Sequence, residues 1–300
     1  MISIIICSKS TEISQLLNEN IKNTIGADYE IVVIDNSQNK YSIFSAYNKG
    51  INQSKFPFLC FVHEDVLFKT DNWGQILIKH LSDKKTGIIG VAGGKIMAKV
   101  PAQWSTEGRC INIIQYQPKK KLSVQLKEPQ NFSGNSQSVI ILDGVFLSAR
   151  SELFDRIKFD ENFSGFHGYD YDISVQSVVA GYNNYVIFDI WIEHFSKGNK
   201  NAQYYANLIE IFKKWNNNLP LYTPDNAVEI KTNITKIETK RLEKLLRRMA
   251  RTGFSTKSIV SEVRFFIKLL KSKGVEINIK NIRIRVFLTR LFNAPKHLFK

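Results

Sequence analysis

Residues 1–66 read MISIIICSKSTEISQLLNENIKNTIGADYEIVVIDNSQNKYSIFSAYNKGINQSKFPFLCFVHEDV, and this stretch decides the fold. Three apolar runs within it, Ile2–Ile6, Ile31–Ile34 and Phe58–Val62, are nearly continuous, as is typical of strands buried on both faces. They begin about 28 residues apart, close to the length of one βαβ unit. The spacing predicts a mostly parallel, Rossmann-like α/β sheet with right-handed helical crossovers.

Two amphipathic segments fill the gaps between these runs. The first has an apolar stripe over Ile13–Ile21, and we expect Ser10 or Thr11 to cap its helix. The second has its stripe over Ile43–Ile51. Strands and helices therefore alternate through the first 66 residues, which is the order that a sheet covered by helices requires.

The pattern weakens after residue 66. Residues 99–138 are polar and aromatic, and they predict an irregular excursion. Further strands are predicted at 88–92, 139–142 and 185–188, and further helices at 172–180 and 202–215. We therefore place a catalytic domain at residues 1–215 and an extension at residues 216–300.

The extension carries the whole charge excess of the chain. The formal net charge is +15, and residues 231–300 hold 19 basic and four acidic side chains. Apolar stripes at Leu242–Met249 and Ile259–Leu270 predict basic amphipathic helices, whereas residues 282–288 fit a strand or a helix. Such helices suit an anionic membrane surface, but the stripes could equally pack on the catalytic domain or on a partner.

Cysteine usage and the amino terminus favour a cytoplasmic location. Cys7, Cys60 and Cys110 are odd in number and far apart, unlike a disulfide framework or a zinc site. The first ten residues have no basic leader before their apolar run, and no stretch approaches the ~20 apolar residues that span a bilayer. We expect any membrane contact to be peripheral, on the inner face of the cell membrane.

Polar residues follow each of the first three predicted strands, namely Cys7-Ser8, Asp35 to Ser37, and His63-Glu64-Asp65. Carboxyl ends of parallel strands share one rim, where ligands of open α/β sheets bind. The glycines around Gly93 match no phosphate-binding loop. A divalent cation held by carboxylates such as Glu64 and Asp65 could bind a diphosphate instead.

Residues 46–66, AYNKGINQSKFPFLCFVHEDV, resemble the helix–strand–DxD segment of family-2-type glycosyltransferases of GT-A fold. The resemblance implies a nucleotide-sugar donor, bound with Mn²⁺ or Mg²⁺, and makes Asp65 a metal ligand. His63 stands in place of the first acid and is a second candidate ligand. Asp35 matches the acid that contacts the base or ribose. Cys7, Ser8, Asn48, Glu64 and Gly93 are further donor-binding candidates.

Residues 165–173, GFHGYDYDI, resemble the G-x-G-E-D-x-D segment of β-1,4-galactosyltransferase-like enzymes of this fold. The resemblance makes Asp170 the general base, while Tyr169 occupies the place of the usual Glu. The alternative is structural, since an acid at a helix N-terminus favours the helix dipole.

Residues 191–196, WIEHFS, resemble the segment whose His completes the metal site in GT-A enzymes. His194 is therefore a candidate ligand, although a lone His can equally be structural. Asp143 and Gly144 follow another predicted strand and could contact the donor sugar or the acceptor, or form an ordinary turn.

Together these resemblances imply an inverting glycosyltransferase that moves a sugar from a nucleotide-diphosphate sugar, for which we expect a UDP-sugar, to a glycan or lipid-linked saccharide. One rival is a nucleotidyltransferase, although Cys7 to Ser10 lack its Gly-rich basic loop. Another is a nucleic-acid- or membrane-binding protein acting through its basic tail, with a non-catalytic sugar-nucleotide-binding domain. The tail has no nucleic-acid recognition motif, so nucleic acid is not an expected partner.

Overall fold

A computed structural model describes residues 1–130, 132–196, 198, 200–275, 277 and 282–291. The strands of this described part are β1 Ile2–Ser8, β2 Tyr29–Asp35, β3 Phe58–Val62, β4 Val66–Phe68, β5 Thr86–Gly90, β6 Ala92–Gly94, β7 Ile96–Met97, β8 Arg109–Gln117, β9 Leu122–Glu128, β10 Ser136–Val139, β11 Ile141–Leu142, β12 Phe146–Arg150, β13 Asn183–Ile187, β14 Ile192–His194 and β15 Leu221–Tyr222. Its α-helices are α1 Gln15–Thr24, α2 Ile43–Gln53, α3 Trp73–Leu81, α4 Tyr169–Val179, α5 Ala202–Lys214, α6 Ala227–Arg251, α7 Thr256–Lys271 and α8 Ile282–Leu291.

Two compact units divide the chain. The first comprises Met1–Ile96 and Trp104–Gly198, and the second comprises Met97–Gln103 and Asn199–Lys300. The first unit contains all the predicted site residues. The domain boundary at residue 215 is inferred from the sequence pattern alone, and it stays a prediction.

The main sheet of the first unit has the strand order β10-β13-β5-β12-β3-β1-β2. β1, β2, β3, β5 and β13 run in one direction, while β12 and β10 run against them. Successive residues of β1 enter different apolar cores: Ile4 packs with α1 and α3, and Ile5 packs with α2. This burial on both faces explains the nearly continuous apolar runs, and it confirms the predicted α/β fold.

A second sheet, β11-β6-β8-β14-β4, shows that the prediction of irregular structure over residues 99–138 was wrong. β8 pairs with β9 as an antiparallel hairpin across this stretch. β6 and β14 also pair with β8, each with a different part of it. Most of β9 is exposed or half-buried. Leu122, Val124 and Leu126 alternate with polar residues, which is the period-two pattern of a strand, but the composition of the whole stretch favoured a loop.

A smaller correction concerns the start of α1. Its N-cap is Ser14, whose side chain accepts a hydrogen bond from the Leu17 amide, rather than Ser10 or Thr11. The apolar stripe located the helix correctly, but several capping residues precede it and the pattern alone could not choose among them.

The second unit confirms a mainly helical extension, with residues 282–288 in helix α8. Helices α6, α7 and α8 contact one another, and the stripes predicted around Leu246 and Phe266 are buried within this unit. Residues 292–300 of the predicted extension lie outside the described residues. Among the described helices, none combines the length and apolar character that crossing a membrane requires.

Candidate active site

The carboxyl ends of the first three strands meet as predicted. Ser8 of β1 lies opposite Asp35 of β2, and its hydroxyl donates a 2.7 Å hydrogen bond to Oε2 of Glu64. The Lys9 amide donates to the same oxygen at 3.1 Å. Three candidates that lie up to 56 positions apart in sequence therefore share one rim.

Two rim residues differ in ionisation. Asp35 is exposed, and hydrogen bonds from Ser37 lower the pKa of its carboxyl, so it is a carboxylate at neutral pH. Cys7 is half-buried, and burial raises the pKa of its thiol to about 11. Cys7 is therefore a neutral thiol, whereas Asp35 offers an anionic acceptor to a ligand.

His63, Asp65 and His194 form a cluster with the ligand types of a metal site. His63 directly follows β3, and antiparallel pairing of β14 with β4 brings His194 opposite Val66. Oδ1 of Asp65 lies 3.9 Å from Nδ1 of His63 and 3.6 Å from Nε2 of His194. One ligand atom from each residue lies within 4.8 Å of the other two.

The donor set of this cluster fits a divalent cation. Burial, and then the neighbouring His194, lower the pKa of His63, so its imidazole is neutral and keeps a lone pair at neutral pH. The side chains of His63 and Asp65 remain 37% and 33% exposed, which leaves room for further ligands. Two imidazoles and one carboxylate suit a transition metal such as Mn²⁺ better than Mg²⁺, which prefers oxygen ligands.

Tyr169 links this cluster to the second candidate block. Its buried hydroxyl donates a 3.0 Å hydrogen bond to the Gly144 carbonyl and lies 2.9 Å from Nε2 of His63. A Cβ atom on Gly144 would lie 2.1 Å from this hydroxyl. Gly144 thus has a packing role, because only a glycine admits the Tyr169 ring here.

Asp170 lies in the first turn of α4, next to Tyr169. Burial raises the pKa of its carboxyl to about 7, and the charge of Asp143 contributes to the increase. Backbone hydrogen bonds from Tyr171 and Gly144 act in the opposite direction. A carboxyl that titrates near pH 7 is suited to proton transfer at neutral pH.

The contacts of Asn48 and Gly93 are with residues other than the metal-ligand candidates and Asp170. The Asn48 amide donates to Phe159 and Glu161, both at 2.8 Å, and its oxygen accepts from the Phe159 amide. A Cβ atom on Gly93 would lie 2.3 Å from the Ile141 carbonyl oxygen, so this glycine serves close packing of β6 against β11. Their roles in donor binding stay predictions.

Two residues of the site were missed by the sequence reasoning. The Trp104 indole donates to Oδ2 of Asp143 at 2.9 Å, and Gln115 lies 3.3 Å from Nδ1 of His194. Both fall in the stretch predicted to be irregular. The alternation of Leu122, Val124 and Leu126 with polar residues was the available signal for the hairpin that carries Gln115, and no comparable signal marked Trp104.

A family model and two solved structures show what this chain is similar to. A family model described as a glycosyltransferase like family matches residues 3–215. The crystal structure of GalNAc-T7 with UDP, GalNAc and Mn²⁺ has a TM-score of 0.51 at 13% sequence identity, covering 89% of this chain and 57% of that chain. The crystal structure of A197 from STIV has a TM-score of 0.37 at 13% identity, covering 65% of this chain and 86% of that chain. No curated protein matched the chain.

The fold and the family match define a glycosyltransferase with a GT-A fold. The chain belongs to the glycosyltransferase like family, and the match spans β1 through α5. This chain covers only 57% of the length of the GalNAc-T7 structure, and at 13% sequence identity the likeness to that structure shows the fold alone.

Proposed function

We propose that this enzyme transfers a sugar from a UDP-sugar to a hydroxyl of a glycan or lipid-linked saccharide, with inversion, in polysaccharide biosynthesis. The observation that carries the proposal is that Tyr169, which directly precedes Asp170 in α4, contacts His63 of the His63–Asp65–His194 cluster. The presence of UDP, GalNAc and Mn²⁺ in the GalNAc-T7 structure supports a donor of this class.

Each group has a distinct role in the proposed reaction. Asp170 accepts the proton of the acceptor hydroxyl as that oxygen attacks the anomeric carbon. The bond between this carbon and the diphosphate oxygen breaks, and the electron pair leaves with UDP. A divalent cation held by His63, Asp65 and His194 would neutralise the charge that develops on the diphosphate.

The rim of β1 and β2 would hold the nucleoside. The carboxylate of Asp35 is exposed and can accept hydrogen bonds from ribose hydroxyls or a base N–H group. Ser8 and Glu64 fix the neighbouring loop through their 2.7 Å hydrogen bond. Asp143, whose charge raises the pKa of Asp170, would contact the donor sugar or the acceptor.

Thermal-shift measurements with UDP-sugars, with and without Mn²⁺, test the donor and the metal together. We expect a shift that needs both ligands, and Asp65→Ala should abolish it. Asp170→Ala should keep the shift but lose transfer, measured as UDP release with a saccharide acceptor. Asp71→Ala, at an exposed turn position, is the control that should change neither. A shift unaffected by Asp65→Ala would contradict the proposed site.

We further propose that the enzyme is cytoplasmic and docks on an anionic bilayer through its basic extension. Helix α8 exposes Ile284, Phe287, Leu288 and Leu291, which are spaced to form one stripe. Arg247, Arg251 and Arg285 line a neighbouring groove of about 320 Å³ together with Glu243. An apolar stripe beside a groove rich in arginine complements acyl chains below anionic headgroups.

Vesicle flotation tests this surface. Wild-type protein should float with phosphatidylglycerol vesicles, less with phosphatidylcholine, and less at high salt. Phe287→Ser should weaken binding to the vesicles by roughly tenfold, because serine buries less apolar area in the bilayer than phenylalanine does. Val228→Ser is the control, because Val228 is an exposed apolar residue of α6. Equal flotation of wild type and Phe287→Ser would contradict docking through α8.

A further inference from the structure

The hydrogen bonds around Tyr169 determine which nitrogen of His63 carries a proton. The Gly144 carbonyl can only accept, so the single hydroxyl hydrogen of Tyr169 is donated to it at 3.0 Å. Nε2 of His63 lies 2.9 Å from the same hydroxyl oxygen and must therefore be the donor. Nδ1 of His63 then carries the lone pair, and it is the nitrogen that lies 3.9 Å from Asp65 Oδ1.

The hydrogen bonds of Gln115 likewise determine which ring nitrogen of His194 carries a proton. Its Nε2 donates to carbonyl oxygens of His194 and Ser196, both at 2.9 Å, which fixes the direction of the amide. Oε1 of Gln115 is therefore the atom 3.3 Å from Nδ1 of His194, and it accepts a hydrogen bond from the N–H at that nitrogen.

Nε2 of His194 consequently carries the lone pair. It lies 3.6 Å from Asp65 Oδ1, and the Ser196 hydroxyl, 3.3 Å away, can donate to it. The two imidazoles use different nitrogens, yet both lone pairs belong to the atoms nearest Asp65. Ring nitrogens that point away from Asp65 each have a separate hydrogen-bond acceptor.

We propose that Tyr169 and Gln115 are positioning residues, which hold His63 and His194 in the two tautomers that a cation needs at Asp65. The proposal rests on the proposed function for the identity of the bound group, a divalent cation. It assigns Tyr169 a role of its own where related enzymes have Glu. Outer hydrogen-bond partners of metal-ligating histidines typically contribute 10- to 100-fold in metal affinity.

Long-range ¹H–¹⁵N NMR spectra of the metal-free wild-type protein give the first test. We expect His63 to be protonated at Nε2 and His194 at Nδ1. The opposite tautomer of either ring in the folded protein would overturn the inference, and this test needs neither a variant nor turnover.

Mn²⁺ titration followed by electron paramagnetic resonance gives the second test. Tyr169→Phe keeps the ring, which packs against Phe44 and Tyr47, and removes only the hydroxyl. We expect Tyr169→Phe and Gln115→Met each to weaken Mn²⁺ binding by roughly 10- to 100-fold. Tyr169→Phe should also mix the His63 tautomers. Tyr205→Phe, at another buried tyrosine, is the matched control.

Unchanged Mn²⁺ affinity with unchanged tautomers in both variants would overturn the inference while leaving the proposed function intact. A wild-type protein that bound no Mn²⁺ would instead contradict the metal-dependent function. The NMR spectra would still decide the tautomers in that case, so the two failures are distinguishable.

Discussion

The indole N–H of Trp104 donates a 2.9 Å hydrogen bond to Oδ2 of Asp143, whose Oδ1 accepts from the Val145 amide at 3.0 Å. Both oxygens of Asp143 are therefore fixed. The negative charge of this carboxylate adds to the effect of burial in raising the pKa of Asp170 to about 7. Trp104 thus connects the β6–β8 region to the proposed base.

Replacing Asp143 by Asn should shift the acidic limb of the pH–rate profile. Asp170 must be deprotonated to act as a base, so wild-type kcat/KM should fall as the pH drops through about 7. Asp143→Asn removes a nearby negative charge and lowers the pKa of Asp170, which moves that limb to lower pH. Profiles of kcat/KM measured without and with the substitution check this, and a limb that stays in place would refute the coupling.

Replacing Asp170 by Asn should abolish transfer yet stabilise the protein at neutral and higher pH. The pKa of Asp170 is raised in the folded state above its ordinary value of 3.8. The folded state therefore holds the proton more tightly, and the wild type loses stability as the pH rises from about 4 to about 7.

Urea unfolding of metal-free protein at several pH values measures this difference. The advantage of Asp170→Asn should be small at pH 4, grow with pH and level off above pH 7. Asp155→Asn, at an exposed residue after β12, is the control and should show no such trend. An advantage independent of pH would show that Asp170 ionisation is not its cause.

Replacing Gly144 by Ala should damage both packing and metal binding. The added methyl would lie 2.1 Å from the Tyr169 hydroxyl, and the ring is buried, so the ring must move. Overpacking of this kind typically costs about 1–3 kcal/mol. Urea unfolding should show that loss, and Mn²⁺ affinity should fall because His63 loses its acceptor. Gly198→Ala, at a glycine with open space around its Cβ position and no left-handed backbone, tests whether a generic glycine effect explains the result.

The sequence was sufficient for the first half of the fold because its strands are buried on both faces. Ile4 and Ile5 belong to different cores, so no polar alternation interrupts the run that reveals β1. β9 is an edge strand in which Leu122, Val124 and Leu126 alternate with polar residues, so a period-two signal was present, but the polar and aromatic composition of residues 99–138 outweighed it.

The candidate site was only partly accessible to sequence reasoning. Strand ends predicted that Ser8, Asp35 and Glu64 would meet, because register in a parallel sheet fixes that rim. The resemblance to the family marks Tyr169 only as a departure from the usual Glu. Its contacts with His63 and Gly144 join residues 106 and 25 positions away in sequence, which no local spacing encodes.

Replacing His63 by Asp should change the metal preference. The substitution exchanges an imidazole for an oxygen ligand and creates a cluster of two carboxylates and one imidazole. Mg²⁺ prefers oxygen ligands, so the ratio of activity with Mg²⁺ to activity with Mn²⁺ should rise relative to wild type. A ratio that does not change would indicate that His63 is not a ligand.

Replacing Glu238 by Ala should destabilise the second unit without involving the site residues. Its buried carboxyl accepts hydrogen bonds from the amides of Lys99 and Val100, at 2.7 and 2.9 Å. Losing the carboxylate would leave both amides without this acceptor and would remove a negative charge that interacts with the buried Arg241, at a cost of about 3–5 kcal/mol. Glu238→Gln keeps one acceptor oxygen and should lower the free energy of unfolding by less.

Urea unfolding of both variants checks this order. The control is Glu243→Ala, which removes the half-exposed ion pair with Arg285 and should lower the free energy of unfolding by about 1 kcal/mol or less. If Glu238→Ala were as mild as Glu243→Ala, the two amides would not depend on this carboxylate.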